Sequence, residues 1–541
     1  MPHGRARRTS GGSGHRPATS GPSTRAVSGF KAPTGVARHE KAGKLWSRLT
    51  ILALAVTGAA LVLVGTSKYG AGLSPDSVNY IAAARGLLAG RGYVICDGTP
   101  FVSWAPLYPS VLAVAGVVFR DPLNGARFVN AACLAMLVLL LGFELSRLLR
   151  SRVLAVVGTL ALVASVQLLT IAVMAWSEML FLLLIMVFLS LLWRYVDKPT
   201  DGLFVLLVAA AALCSLQRYI GAVTIGVGAL FILTWKPGPR LRLRLGRALL
   251  FVVAAAMPIL VWLVHNMATT SLLTGNTGAL PPRGFTLGSN LSSVARGLTN
   301  WFLVRRPAPT VETLTVVSVM LLVGAATVFP LVRLTSHKGS QRAAVASWAV
   351  FLVAYLVALV AASTVSSLDP IADRFLSPIY ALVIMLILAE LDDAMSPARR
   401  LNISRYAGYT LVMAATVVWL WAPLGAVIKS EQDWVANGAG GYNTTQWRDS
   451  PLIAWLKTHD PKEVLYSNAP DAVYILTGQQ ARMSPASLAE LNRMRLANGH
   501  CPIAWFVGMN RYYLMKPDEI ARHARLQIVR EFPDGFLYAL Q

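Results

Sequence analysis

The feature that most constrains this chain is a series of apolar blocks, each close to 20 residues long and nearly free of charge. A helix needs about 20 apolar residues to cross the hydrocarbon core of a bilayer, which is roughly 30 Å thick. Hydrophobic residues make up 55% of the 541 residues and charged residues only 14%, whereas soluble domains carry roughly 25% charged residues. The sequence therefore predicts an α-helical polytopic membrane protein rather than one large soluble core.

The apolar blocks predict eleven transmembrane helices. Their approximate ranges are 46–67, 124–146, 153–172, 178–195, 202–217, 219–235, 248–265, 311–332, 343–363, 375–391 and 405–427. A further apolar stretch, 106–119, is short and flanked by proline. We expect it to lie at the membrane interface or to re-enter the membrane rather than to span it.

The basic residues indicate the orientation of these helices. The net charge of +24 comes from residues at helix ends and in the N-terminal tail, a pattern of topology signals rather than of a nucleic-acid-binding face. With the N-terminus inside, every inner loop is basic: Arg147, Arg150, Arg152; Arg194, Lys198; Lys236, Arg240, Arg242, Arg244, Arg247; Arg333, Lys338, Arg342; Arg399, Arg400, Arg405. The odd number of helices then places the C-terminus outside the plasma membrane.

Three regions follow from this topology. Residues 1–44 are rich in Gly, Ser, Pro and basic residues, and we expect a disordered cytoplasmic tail that either binds anionic lipid or only fixes the orientation. The transmembrane domain, 45–427, carries two large outer loops at 68–123 and 266–310. Residues 428–541 are predicted to form a small extracytoplasmic α/β domain.

The predicted α/β domain has recognisable strands and a hairpin. Residues 464–466 and 503–507 are rich in strand-forming residues, and a helix is expected near 484–497. The segments 526–531 and 536–540 flank Pro-Asp-Gly at 533–535, which predicts a hairpin turn.

The four cysteines give no metal-binding pattern. Cys133 and Cys214 fall within predicted helices and are interpreted as inert apolar residues. Cys96 and Cys501 are both predicted outside, where a disulfide can persist. Whether these two pair is left open, because the sequence does not supply the geometry.

Ionisable residues gather at the predicted outer ends of helices. Asp76 lies in SPDSVNY at 74–80, Glu178 in AWSE, Arg218 in QRYIG, and Asp373 with Arg374 in ADRF. Such residues are costly at membrane depth and are functional candidates by default. Each also has a purely structural explanation, so we weigh both. Asp76 and Glu178 could cap helices, Arg218 could reach the lipid headgroups, and Asp373–Arg374 could form an interfacial ion pair.

One active site would explain all of these residues together. A carboxylate could remove the proton of an acceptor hydroxyl, and arginines could stabilise a leaving phosphate. This chemistry suits sugar transfer from a polyprenyl-phosphate donor, with Asp76 as base and Arg218 and Arg374 near the phosphate. Glu178 would orient the acceptor or help to hold a divalent cation.

These motifs, in this order and on one face, resemble those of the GT-C glycosyltransferases, in particular the bacterial relatives of protein O-mannosyltransferases and aminoarabinose transferases. The resemblance covers roughly residues 46–391. It rests on Asp76, the proline-rich loop WAPLYP at 104–109, the Ser177-Glu178 pair and the DRFL stretch at 373–376. It implies an inverting transfer at the outer face with the first-loop acid as base, and amphipathic helices lying along the membrane.

The candidate site also includes tyrosines of the same motifs. Tyr80, Tyr108 and Tyr219 join Arg218, Asp373 and Arg374 as predicted substrate-binding residues. Any bound cation, Mg²⁺ or Mn²⁺, would be held by Asp76 and Glu178.

Two motifs depart from the family pattern. The proline-rich loop reads Ala105-Pro106, so it lacks the first proline of the family's Pro-Pro-Leu-Tyr-Pro, and Asp76 is followed by Ser77 rather than by a second acid. A protein acceptor and a metal requirement are therefore both open questions.

Two other classes of function compete with a glycosyltransferase. A transporter or flippase of a polyprenyl-linked lipid predicts polar residues at the midplane or inner face, and few are present. A non-catalytic scaffold whose outer domain binds cell-wall material leaves the shared-face acids unexplained. Nucleotide-sugar donors are disfavoured because no glycine-rich phosphate loop is present.

Overall fold

The computed structural model describes residues 34–235, 241–275, 286–303, 309–332, 339–365, 371–395, 405–459, 463–498 and 501–541. Most of the predicted disordered tail, 1–44, lies outside these residues. Its last part does not fit the prediction, because residues from Thr34 onward belong to the first helix. Residues 46–541 form one compact unit.

The described residues from 34 to 275 form ten α-helices. They are α1 (Thr34–Gly65), α2 (Pro75–Leu88), α3 (Leu107–Phe119), α4 (Pro122–Leu148), α5 (Arg152–Val163), α6 (Val166–Val173), α7 (Glu178–Asp197), α8 (Asp201–Gln217), α9 (Val223–Thr234) and α10 (Leu241–Thr270). A short 3-10 helix, Tyr219–Ala222, joins α8 to α9.

The described part of the chain from residue 286 to 437 forms five further α-helices: α11 (Leu287–Phe302), α12 (Pro309–Val332), α13 (Gly339–Val365), α14 (Ser377–Ala394) and α15 (Arg405–Asn437). A second 3-10 helix, Asp373–Leu376, leads into α14.

The membrane helices agree with the predicted polytopic fold. Within the described residues, eight helices are long and apolar enough to cross a membrane, and α5 with α6 would add a ninth span bent by 52°. A new helix, α6, begins directly after the bend, because the side chain of Ser165 caps its N-terminus. The two remaining predicted spans correspond to shorter apolar helices, Asp201–Gln217 and Tyr219–Thr234. At 13 residues α3 is too short to span, as expected.

The C-terminal region forms the predicted α/β domain. It contains α16 (Thr445–Arg448), α17 (Pro451–Thr458), β1 (Leu465–Ser467), α18 (Pro470–Thr477), β2 (Ala481–Met483), α19 (Leu488–Asn498), β3 (Cys501–Phe506), α20 (Pro517–His523), β4 (Leu526–Phe532) and β5 (Gly535–Leu540).

Five strands make one mixed sheet in the order β2-β1-β3-β5-β4. The strands β1 and β3 are parallel, whereas β4 and β5 form the predicted antiparallel hairpin, with Phe532 opposite Gly535. The prediction missed β2, which has only three residues and gives too short a pattern to recognise.

All four cysteines are buried free thiols, so the Cys96–Cys501 disulfide left open by the sequence is absent from the structure. Cys501 packs in the core of the C-terminal sheet, while Cys96 belongs to a separate cluster beneath α2. Burial, reinforced by the charge of Asp471, raises the pKa of the Cys96 thiol to about 12, which keeps it protonated.

Candidate active site

Short backbone pairings bring Asp76 and Glu178 to the same region of the protein. These pairings involve the segments that directly precede α2 and α7. The chain before α2 pairs with two other segments: Gly72 bridges to Met174, and Leu73 bridges to Gly441. The Gly72 position requires glycine, because a Cβ there would meet the Met174 sulfur and the Ala439 carbonyl. As a result, Asp76 in the first turn of α2 and Glu178 at the start of α7 lie at the same end of the helix bundle.

The start of α2 is fixed by its own sequence. Ser74 and Ser77 form a reciprocal capping box, and Pro75 occupies the first turn, where a missing N–H costs nothing. Asp76 is therefore not needed as the N-cap, and its side chain is available to the site.

Two acids and two arginines form one charge network. Arg374 Nη2 lies 2.6 Å from Asp76 Oδ2, and Arg218 Nη1 lies 2.9 Å from Glu178 Oε1. The same Glu178 oxygen is 3.5 Å from Arg374 Nε, so it faces both guanidinium groups. Glu178 is 3% exposed and Asp76 is 27% exposed. Asp76 is thus the accessible carboxylate, while Glu178 holds the two arginines.

Aromatic rings hold the arginine planes. Arg374 stacks 4.7 Å from the Trp176 ring and 4.9 Å from the Phe375 ring, and Arg218 lies 5.2 Å from Phe375. The indole of Trp176 is fixed in turn by donating to Ser74 Oγ at 2.7 Å. These contacts preorganise two planar cations without consuming all of their N–H groups.

Asp76, Arg218 and Arg374 of this network line a cavity of about 530 Å³. Its lining includes the polar side chains of Asp76, Gln217, Arg218 and Arg374 together with an apolar wall. The apolar wall comes from the 3-10 helix after α8, from α9 and from α13: Ile220, Ala222, Val223, Ala358, Leu359 and Ala362. The cavity therefore suits a ligand with an anionic head and an apolar body.

Two of the three predicted tyrosines line this cavity. The Tyr80 hydroxyl is 3.3 Å from Ser177 Oγ, and burial together with the charge of Asp76 raises its pKa above the usual value, so it remains a neutral phenol. Tyr219 donates to the carbonyl groups of Val102 and Trp104, at 3.0 and 3.1 Å. It thereby fixes the start of the proline-rich motif and the residues just before it.

Two predicted substrate-binding residues do not reach the cavity. Tyr108 is fully buried, packs edge-on against Tyr80 and donates to Asn130 Oδ1 at 3.4 Å. The carboxylate of Asp373 turns toward α11, where it accepts from Asn300 Nδ2 at 2.9 Å. Neither side chain lines the cavity in this structure, and their role as substrate contacts stays a prediction.

Neither a family model nor a curated protein sequence matches the chain. Solved structures do match it. The chain is similar to ArnT from Cupriavidus metallidurans bound to undecaprenyl phosphate, with a TM-score of 0.57 and 14% identity over 91% of this chain and 97% of ArnT. The chain has the GT-C fold.

Two further GT-C structures show the same likeness. The oligosaccharyltransferase of Archaeoglobus fulgidus gives a TM-score of 0.50 at 12% identity, covering 81% of this chain and 64% of that one. A mutant of the arabinofuranosyltransferase AftD from Mycobacteria gives 0.51 at 13% identity, covering 91% and 41%.

Two side chains that line this cavity, those of Gln217 and Tyr355, were not singled out as site residues from the sequence. Ser177 accepts from Arg218 Nη1 at 2.9 Å, and its carbonyl accepts from Gln217 Nε2 at 2.8 Å. Tyr355 lines the cavity and donates to the Phe375 carbonyl at 2.9 Å. Its position next to Arg218 could have drawn attention to Gln217, whereas Tyr355 lies inside an apolar helix and gives no such signal.

The predicted cation ligands, Asp76 and Glu178, are both paired with arginines in this structure. Mg²⁺ and Mn²⁺ prefer several oxygen ligands. Over the described ranges, no group of three His, Cys, Asp or Glu side chains converges, and both Asp76 and Glu178 face arginines. The positive charge of this site is supplied by the two guanidinium groups.

Replacing Glu178 with Gln is expected to destabilise the protein by about 3 kcal/mol, the low end for breaking a buried ion pair. The low end applies because the two arginines that it faces are about one-fifth exposed. Thermal unfolding in detergent would measure the loss. Glu312→Gln, which changes an exposed acid at the start of α12, is the control and should be neutral. Equal stability of both variants would contradict the holding role of Glu178.

Proposed function

We propose that the chain is a membrane glycosyltransferase that moves a sugar from a polyprenyl-phosphate donor to an acceptor hydroxyl. The observation that carries this proposal is the partly exposed carboxylate of Asp76 beside two guanidinium groups, in a cavity with an apolar wall. The GT-C fold supports it, since ArnT of that fold binds undecaprenyl phosphate.

In the proposed reaction, the acceptor oxygen attacks the anomeric carbon of the donor sugar. Asp76 removes the hydroxyl proton as the new carbon–oxygen bond forms, because an alcohol is too weakly acidic to ionise alone at neutral pH. The bond between the anomeric carbon and the phosphate oxygen breaks, and its electron pair leaves with polyprenyl phosphate. Attack from the side opposite the phosphate inverts the anomeric configuration.

Arg374 and Arg218 are proposed to bind the donor phosphate. Guanidinium groups match phosphate oxygens in geometry and charge, and charge that builds up on the leaving group is stabilised by preorganised donors. In this structure the two acids balance the two arginines. We expect the phosphate to draw Arg374 toward itself, which would release the Asp76 carboxylate for proton removal.

The apolar wall is proposed to contact the first isoprene units of the donor. Small side chains of α13, Ala358 and Ala362, line the cavity beside the apolar residues of the 3-10 helix after α8. Binding there would place the phosphate beside the two arginines and the lipid tail toward the membrane.

The competing function is transport of the same polyprenyl-linked lipid, and a proteoliposome experiment separates the two. The protein is reconstituted with polyprenyl-phosphate sugar labelled in the sugar, together with candidate acceptors. Transfer moves the label off the lipid and leaves polyprenyl phosphate. Label that stays on the lipid but changes leaflet would replace our proposal with transport.

The outer location of the C-terminal domain is also a proposal, and a fusion tests it. We expect a reporter placed after Gln541 to be active outside and inactive in the cytoplasm, because basic loops remain inside. A reporter placed after Lys198, in a predicted inner loop, should behave in the opposite way. Cytoplasmic activity of the Gln541 fusion would put this domain on the wrong side of the membrane for our proposal.

A further inference from the structure

A second pocket lies at the other end of the helix bundle from the charged cavity. It has a volume of about 280 Å³ and is formed where α7 ends, α9 ends and α10 begins. Because α7 has 20 residues, the two sites are separated by about 30 Å along that helix. The pocket therefore lies near the membrane surface that the basic loops predict to be cytoplasmic.

The lining of the pocket is apolar and aromatic apart from two arginines. Apolar and aromatic side chains make up its floor: Tyr195, Val196, Pro199, Phe231, Ile232, Trp235 and Leu243. Arg244 and Arg247 complete it, and no acid lines it among the described residues. Aromatic residues with arginines are typical of the headgroup level of a bilayer.

The protein satisfies only part of the hydrogen-bonding and ion-pairing capacity of these two arginines. Arg244 Nη1 donates to the Leu233 carbonyl at 2.8 Å, whereas its Nε is buried and has no hydrogen-bond partner among the described residues. Arg247 is 3.8 Å from Asp201, an acid that is 99% exposed and so binds it weakly. A third cation, Arg342, lies 5.7 Å from the ring of Trp235 at the edge of the pocket.

We infer that this pocket binds an anionic glycerophospholipid of the inner leaflet. The phosphate would contact Arg244 and Arg247, and one acyl chain would cover the aromatic floor. Basic pockets between membrane helices on the cytoplasmic side bind acidic lipid headgroups, and each nearby basic residue contributes about 1 kcal/mol. The inference concerns a site separate from the proposed transfer site, so it can succeed or fail independently.

The test is native mass spectrometry of the full-length protein in detergent, titrated with phosphatidylglycerol or with phosphatidylcholine of the same acyl chains. We expect phosphatidylglycerol to bind at least about tenfold more tightly. Arg244→Gln and Arg247→Gln should each weaken its binding by about fivefold, the equivalent of about 1 kcal/mol per arginine. Arg242→Gln, on the same helix but not lining the pocket, should leave binding unchanged.

A further variant tests the pocket without changing the arginines, so that its result does not depend on whether the arginine variants fold. Leu243 lines the pocket but is 60% exposed, so Leu243→Trp should fill the pocket, keep both arginines and still lose phosphatidylglycerol. Equal binding of the two lipids, or an equal loss in Arg242→Gln, would overturn the inference. Displacement of phosphatidylglycerol by lower concentrations of polyprenyl phosphate would overturn the assignment of the occupant.

Discussion

Asp76→Asn is expected to lower sugar transfer by at least ~10²-fold, the low end of what a general base contributes. The amide keeps the size of the side chain but cannot accept the proton of the acceptor hydroxyl. Folding should survive, because Arg374 still faces Glu178 at 3.5 Å. The measurement is the initial rate of transfer at saturating donor, with thermal unfolding of the same preparation.

The chain offers a matched control for this substitution. Asp121 pairs with Arg85 at 2.8 Å, and both side chains are 29% exposed, similar to the Asp76–Arg374 pair. Asp121→Asn therefore removes a comparable ion pair outside the cavity and should leave the rate nearly unchanged. If Asp76→Asn transferred sugar at a near-normal rate, Asp76 would be removed from the mechanism.

Arg374→Gln is expected to reduce transfer by about 10²- to 10³-fold, the loss seen when one preorganised donor to a developing anion is removed. Glutamine cannot supply a positive charge to the leaving phosphate, and Arg218 alone remains near it. Donor binding should weaken as well, because the phosphate is charged before it leaves. Rates at several donor concentrations would separate the two effects.

Arg85→Gln is the corresponding control, since Arg85 also pairs with an aspartate and faces an aromatic ring, that of Tyr474. It should change transfer little. Equal losses in Arg374→Gln and Arg85→Gln would indicate a general effect of losing an ion pair rather than a role at the phosphate.

The membrane architecture could be predicted because it follows from local pattern. Apolar length depends on neighbouring positions only, and the predicted helices and hairpin have counterparts in the structure. Two of the ionisable residues predicted at helix ends, Asp76 and Arg374, line the cavity. Their direct pairing was not predictable, since 298 positions separate them.

The details that the sequence could not supply come from tertiary contacts. The pairings of Gly72 and Leu73 involve single residues and leave no repeating pattern. Tyr108 belongs to the expected motif, yet α3 turns its ring inward against Tyr80. Asp373 adjoins Arg374, but Asn300 of α11 draws its carboxylate away. Side-chain direction in such short segments depends on what packs against them.

The central claim is that the cavity around Asp76 transfers sugar from a polyprenyl-phosphate donor. Its most direct test is release of polyprenyl phosphate from a panel of radiolabelled polyprenyl-phosphate sugars, with wild type and Asp76→Asn assayed side by side and donor binding measured in both. We predict that both proteins bind one donor and that only the wild type releases polyprenyl phosphate from it. Equal release by both proteins, or binding of a donor by the wild type without release in the presence of acceptors, would contradict the account.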